Sequence, residues 1–277
     1  MRRRIATLAA VAALACSGAV WAQQPANEAS SSSAPPGLQF LYGSGEAGAI
    51  SRQTYRALEA YARAAASSRP RESVVLAEGA TLASPAFVPC GSKPLAAVFD
   101  IDETVILNTE MIYARAVGSA TGSAPGLAVQ AVPGALEALA ALRRAGITPI
   151  YNTNRTADLA ERVIATLRSV GLEPPVVGET LFLSGSDGMG ANKDGRRWAI
   201  AAKYCVIAMA GDQVGDFTER LREIPSVVDR RAATLAPGIA DKWGDGWFIL
   251  PNTAYGTALE GSMADVFPGL APAANDN

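Results

Sequence analysis

An apolar run, Leu95-Ala96-Ala97-Val98-Phe99, empties into Asp100-Ile101-Asp102-Glu103-Thr104. A buried strand that ends in two carboxylates spaced i, i+2 is costly, because ionised groups at the rim of a core lose hydration and repel one another. Such an arrangement is tolerated where it serves a site, and here the site wants a cation. The first carboxylate can both bind a divalent metal and attack phosphorus, and the second can hold a proton for the leaving group. That is the chemistry of phosphoryl transfer through an aspartate nucleophile.

Three further polar groups punctuate the chain at comparable places. Thr153-Asn154 follows the apolar run 147–151, where a hydroxyl and the backbone N–H groups of a helix start can cradle phosphate. Lys193 offers a point charge for phosphoryl oxygens. Gly211-Asp212-Gln213-Val214-Gly215-Asp216 follows the run 205–209, and its aspartates suit a second carboxylate ligand for magnesium, with oxygen ligands only. Taken singly, each is ordinary: Thr and Asn are common N-caps, a lysine is usually at the surface, and an aspartate is common in turns. Arg196 and Arg197, one turn after Lys193, read as solvated or paired with acids. The ordered set, each member at a strand end or helix start, is far more specific than any of its parts.

The elements that must position these groups alternate. Tyr55, Leu58, Tyr61, Ala62 and Ala65 recur at helical spacing, giving a helix over 51–66 ahead of the strand 95–99. Pro133-Gly134 opens a helix at 135–144, and Gly146 stops it. A strand at 147–151 is followed by a helix with Leu159, Val163, Leu167 and Val170 on one face, ended by Gly171. Short strands at 180–183 and 205–209 flank the loop 184–192 and a helix at 193–204, and a further helix opens at Phe217. Strands alternating with helices, with polar strand tips, predict an α/β fold with a doubly wound parallel sheet, and ligands sit at the carboxyl ends of such strands.

Composition removes several alternatives. The chain has no histidine, so serine–histidine triads, phosphohistidine chemistry and histidine-ligated zinc are excluded. Its formal charge is -2, with no basic run beyond the first residues, so nucleic acid is not an expected partner. Arg2, Arg3 and Arg4, the apolar stretch 5–15 and Val20-Trp21-Ala22 resemble an export signal over 1–22, too short to span a bilayer. Cys16 lies in a poor lipidation context, so a periplasmic or secreted protein is expected over a lipoprotein. Residues 23–37, rich in Ser, Ala, Gln and Pro, read as a disordered leader, 38–271 as one domain and 272–277 as a tail. Cys90 and Cys205, in an exported chain, are compatible with one disulfide.

On these motifs the chain resembles the haloacid-dehalogenase superfamily of phosphatases, and within it the secreted class C acid phosphatases of lipoprotein-e, 5′-nucleotidase type. The resemblance rests on 99–104, 131–135, 152–155, 211–217, Ser44-Gly45-Glu46 with Tyr55, and Leu250-Pro251-Asn252 with Tyr255-Gly256. It implies a HAD-like Rossmannoid sheet with an N-terminal helical segment and a small cap. It further implies Asp100 as nucleophile and magnesium ligand, and Asp102 as general acid and base with its carbonyl on the metal. Thr153, Asn154 and Lys193 would bind phosphate, Asp212 would complete the Mg2+ site, and Asp216 would support it. Tyr255 would touch the substrate, a small phosphomonoester such as a nucleotide or aryl phosphate, while Trp247 is expected in the core. Gly215 and Ala258 depart from the family pattern, which often has an acid and a tryptophan there; the second thins any aromatic surface for a base. In that superfamily sheet the strands leading to Asp100 and Asp212 are neighbours, which makes a Cys90–Cys205 disulfide plausible. A second class of function stays open on the same fold: a non-catalytic phosphate- or nucleotide-binding protein, for which an attacking carboxylate would have no use.

Overall fold

The computed structural model describes residues 33–119, 127–186, 188 and 190–269. The expected export signal over 1–22, most of the expected leader, residues 120–126 and the expected tail lie outside the described residues. The compact unit that carries the fold begins at Pro35. The end of the Ser/Pro-rich stretch packs on it: Pro36–Leu38 is a helical turn, and the Thr253 hydroxyl donates to the Gly37 carbonyl.

At the centre is a parallel sheet of five strands, β1 (Leu95–Phe99), β2 (Thr148–Thr156), β3 (Leu181–Ser184), β4 (Cys205–Gly211) and β5 (Trp247–Ile249), in the order β3-β2-β1-β4-β5. The expected doubly wound α/β sheet is therefore present. Among the described residues six helices have eight or more residues: α1 (Gly45–Ser68), α2 (Thr109–Ala116), α3 (Ala135–Arg144), α4 (Ala160–Ser169), α5 (Asp194–Lys203) and α6 (Val227–Thr234). Alternation along β1 sends Ala97 and Phe99 into one core with Tyr55, Leu58, Leu139, Val163 and Leu167 from α1, α3 and α4. Ala96 and Val98 face the other core, with Ile200 of α5, Phe217 and Trp247. Phe217, Trp243 and Trp247 pack edge-on or tilted, with ring centroids 4.9–5.5 Å apart, so Trp247 is a core residue.

Two small antiparallel ribbons decorate the sheet, Glu72–Leu76 with Phe87–Pro89 and Ile106–Leu107 with Gln130–Ala131. The second, with α2, occupies the stretch directly after the Asp100 loop. Ser44 caps α1, its hydroxyl accepting from the Ala47 N–H at 3.1 Å. Gly134 has φ +94°, and a Cβ there would lie 3.2 Å from Tyr55 Cβ, so a glycine is what lets α3 start against α1.

Cys90 and Cys205 form a disulfide with Cα atoms 4.6 Å apart. The Cys205 N–H donates to the Pro94 carbonyl at 2.8 Å, so β1 and β4 begin side by side. Their far ends are adjacent too, where the Asp100 N–H donates to the Ala210 carbonyl at 3.0 Å.

Three local readings change. The strand expected at 147–151 runs on to Thr156, because β3 offers edge partners as far as Ser184, and α4 begins only at Ala160 after a 3-10 turn. Thr153 and Asn154 are thus strand residues and not a helix start. After Asp212 the chain makes a 3-10 turn at Val214–Asp216 and a short helix at Glu219–Arg222, with Thr218 as its cap, instead of a helix from Phe217. Leu159 is 38% exposed, so the inward face of α4 is carried by Val163 and Leu167.

Candidate active site

β1 and β4 deliver Asp100 and Asp212 to one point at the carboxyl edge of the sheet. Asp100, Asp212 and Asp216 are all buried, each offering a carboxylate oxygen within 4.8 Å of the others. Asp216 gets there because Gly211 has no side chain: a Cβ on Gly211 would lie 2.2 Å from Asp216 Cβ. Lys193, at the start of α5, reaches in with its Nζ 2.5 Å from Asp100 Oδ1 and 2.7 Å from Asp216 Oδ1. The other Asp216 oxygen accepts the Gln213 N–H at 2.9 Å. Asp212 accepts from the Thr104 hydroxyl (2.9 Å), Asn252 Nδ2 (2.7 Å) and Gln213 Nε2 (2.9 Å).

Electrostatics follow from this crowding. Burial, opposed by Lys193 and reinforced by Asp216, Asp212 and Asp102, holds the Asp100 carboxyl well above its ordinary range. Burial and the Asp216 charge push Asp212 up to about 7. Burial alone would lower Lys193, but Asp100 and Asp216 reverse that and keep the ammonium firmly charged. Asp102, two residues beyond Asp100, is partly exposed and is gripped by Arg155 through Nε at 2.9 Å and a second guanidinium nitrogen at 2.6 Å. Asn108 Nδ2 adds a third bond to it at 2.8 Å.

The remaining expected residues divide. Thr153 is buried in the second half of β2, with its hydroxyl accepting the Arg155 N–H at 3.2 Å and its own proton available to donate. The Asn154 side chain accepts from Arg196 at 3.0 Å. Tyr255 donates its hydroxyl to Glu103, and burial foremost holds that phenol protonated. Arg196 and Arg197 are fully buried, so of the two readings solvation falls, while pairing with an acid holds for Arg197. Arg196 bonds Asn152, Asn154 and the Gly190 carbonyl, whereas Arg197 pairs with Asp194 at 2.6 Å and donates to the Gly215 and Asp216 carbonyls. They brace the loops beneath the site.

Sequence reasoning missed Glu103, Thr104, Asn108, Arg155, Gln213 and Asn252. Asn108, Gln213 and Asn252 gave no periodic or spacing signal. Glu103 did carry one, since a third acid directly after an Asp-x-Asp pair is unusual in a buried turn. Its backbone is left-handed, φ +54°, a conformation that costs a non-glycine residue about 1–3 kcal/mol unless its surroundings hold it.

The donor set can be tested against a metal. Carboxylates from Asp100, Asp102, Glu103, Asp212 and Asp216 face two cations, Lys193 and Arg155, that pair with them among the described residues. The uncompensated negative charge, the absence of histidine and the all-oxygen ligands fit a hard divalent ion.

The chain is similar to known proteins. Residues 50–258 match the family model for HAD superfamily, subfamily IIIB (acid phosphatase). The fold is similar to the class C acid phosphatase from Bacillus anthracis, at 23% identity and TM-score 0.61, covering 85% of this chain and 89% of that one. The same enzyme with tungstate bound is similar at 23% identity and TM-score 0.61, covering 79% and 83% of the two chains. No curated protein matches the chain. With three quarters of its length inside the family model and the acidic cluster at the expected sheet edge, the chain belongs to subfamily IIIB of the HAD superfamily, the acid phosphatases, and is a phosphomonoesterase.

Proposed function

We propose that this phosphatase is exported, depends on magnesium and works through a phosphoryl-aspartate intermediate on Asp100. The observation that carries the reading is Asp100 itself: a buried carboxylate at the crest of β1, touching Lys193 and adjoining Asp212 and Asp216. Asp100 attacks phosphorus in line, and the bond from phosphorus to the substrate oxygen breaks as Asp102 gives that oxygen a proton. Asp102 then takes a proton from water, whose oxygen attacks phosphorus and releases the Asp100 carboxylate and inorganic phosphate. The two carboxylates thereby divide the work, one as nucleophile and the other as proton carrier.

Asp100, Asp212 and the Asp102 carbonyl would hold magnesium, with Asp216 supporting through its grip on Lys193 and the Gln213 N–H. When bound, the ion neutralises charge on the phosphoryl oxygens. Lys193 and the Thr153 hydroxyl bind those oxygens with the Asn154 segment, and Tyr255 contacts the organic part of a nucleotide or aryl phosphate. The tungstate bound to the Bacillus anthracis enzyme is a tetrahedral oxyanion, which supports an oxyanion site on this fold. The Arg2–Arg4 start and the apolar stretch after it support export to the periplasm or beyond.

Hydrolysis of p-nitrophenyl phosphate and a panel of nucleotides, before and after chelation, tests the reading. Activity should vanish on chelation and return with magnesium but not with zinc. Turnover untouched by exhaustive chelation would overturn it.

A further inference from the structure

Glu103 stands apart from the machinery just described. Its carboxylate is buried, and among the described residues no lysine or arginine pairs with it. Instead it accepts three hydrogen bonds, two of them from distant parts of the chain and one from five residues on. Tyr42, in the turn before α1, donates to Oε1 at 2.8 Å, and the Asn108 N–H donates to the same oxygen at 2.8 Å. Tyr255, 152 residues away in sequence, donates to Oε2.

A buried, unpaired carboxylate on a left-handed backbone is retained only where the surroundings over-determine it, and such residues gather at functional sites. What this one controls can be read from its neighbours. The left-handed turn sits between Asp102 and Thr104, and closes with the Glu103 N–H donating to the Ile106 carbonyl at 2.7 Å. Reversing the chain there sends the Asp102 side chain toward Arg155 and the Thr104 hydroxyl toward Asp212. Asn108, whose backbone Glu103 holds, presents its side-chain amide to Asp102 Oδ1.

We infer that Glu103 is a positioning residue for proton transfer: through the 103 turn and Asn108 it aims the Asp102 carboxyl at the leaving oxygen, while Tyr42 and Tyr255 hold Glu103 in place. The inference rests on the reading of Asp102 as the general acid. It predicts a signature that a merely structural residue would not give. Loss of aim at the leaving oxygen penalises substrates whose alcohols need a proton, and spares those whose anions leave unaided.

The test compares kcat/KM, which reports the steps up to phosphoryl transfer onto Asp100, on an alkyl phosphate and on p-nitrophenyl phosphate for wild type, Asp102→Asn, Glu103→Gln and Asn108→Ala. Glutamine keeps the shape of Glu103 but removes its charge, and it can meet the Tyr255 oxygen only as a donor, so one bond is reversed and the other two lose their charge assistance. Asn108→Ala cuts the link to Asp102 and leaves Glu103 and both phenols intact. All three variants should lose at least about tenfold more kcat/KM on the alkyl than on the aryl ester. If Asp102→Asn shows that bias while Glu103→Gln and Asn108→Ala lose both activities equally or neither, the positioning role is wrong and the acid assignment stands. If Asp102→Asn shows no bias, the acid assignment falls and takes the inference with it. Should Glu103→Gln fail to fold, Asn108→Ala decides alone.

Discussion

Lys193 Nζ lies 2.5 Å from Asp100 Oδ1, deep in the cluster of buried carboxylates that Asp100, Asp212 and Asp216 form. The lysine comes from the start of α5 and the aspartate from the end of β1, 93 residues apart. Its ammonium also spans to Asp216, so one cation tempers two carboxylates before any substrate arrives.

Lys193→Met should therefore lower kcat by about 10²–10³, the usual effect of removing one preorganised group that stabilises developing charge. It should also destabilise the chelated protein by about 3–5 kcal/mol, because two buried carboxylates lose their partner. Urea unfolding and steady-state kinetics on the same preparation check both effects. Activity within a few-fold of wild type would remove Lys193 from the site.

The acidic cluster sets a pH dependence with a definite sign. Asp212 releases its proton near 4 in an unfolded chain but is pushed up to about 7 in the fold, by burial first and by Asp216 second. Below about pH 4 both states are protonated and the contribution is complete. Between there and about 7 the unfolded state has lost a proton that the folded state retains, so stability falls as pH rises. Chelated wild type should unfold more easily at pH 7.5 than Asp212→Asn does relative to their difference at pH 4.5. A wild-type slope no steeper than that of the variant contradicts this.

The Cys90–Cys205 bridge joins segments 115 residues apart at the sheet edge away from the acids. Its removal by Cys90→Ser with Cys205→Ser should cost about 2–4 kcal/mol of stability in denaturant. Turnover at 25 °C should stay near wild type, because the strand ends that carry Asp100 and Asp212 remain paired to each other. A large fall in kcat for the fully folded double variant would show that the bridge reaches the chemistry.

Much of this site was legible because it sits where periodicity changes. The strand 95–99 and the helix 135–144 have the bounds that apolar runs and Pro/Gly punctuation assign them. Asp100, Asp212 and Asp216 follow apolar runs, and such tips converge in a parallel sheet whatever the details. Thr153 was placed on the right edge but on the wrong element, since the extension of β2 to Thr156 depends on pairing with β3, a partner that no local window contains. The burial of Arg196 and Arg197 was missed for a related reason. Charged residues at the start of a helix normally face water, and these two are accepted into the interior because β2, the 215–216 turn and Asp194 supply their acceptors. The grip on Glu103 spans 61 and 152 residues of sequence, and nothing in the spacing of Tyr42 or Tyr255 announces it.

The proposed chemistry turns on a covalent bond between Asp100 and the phosphoryl group. Rapid acid quench of enzyme mixed with substrate carrying labelled phosphate, followed by peptide mapping, tests it without intermediaries. Label is expected on the peptide containing Asp100 in wild type, accumulating when Asp102→Asn slows its release. None is expected in Asp100→Asn, which should be folded and inactive. Hydrolysis by Asp100→Asn at a substantial fraction of the wild-type rate, or label on any other residue, would contradict the covalent mechanism.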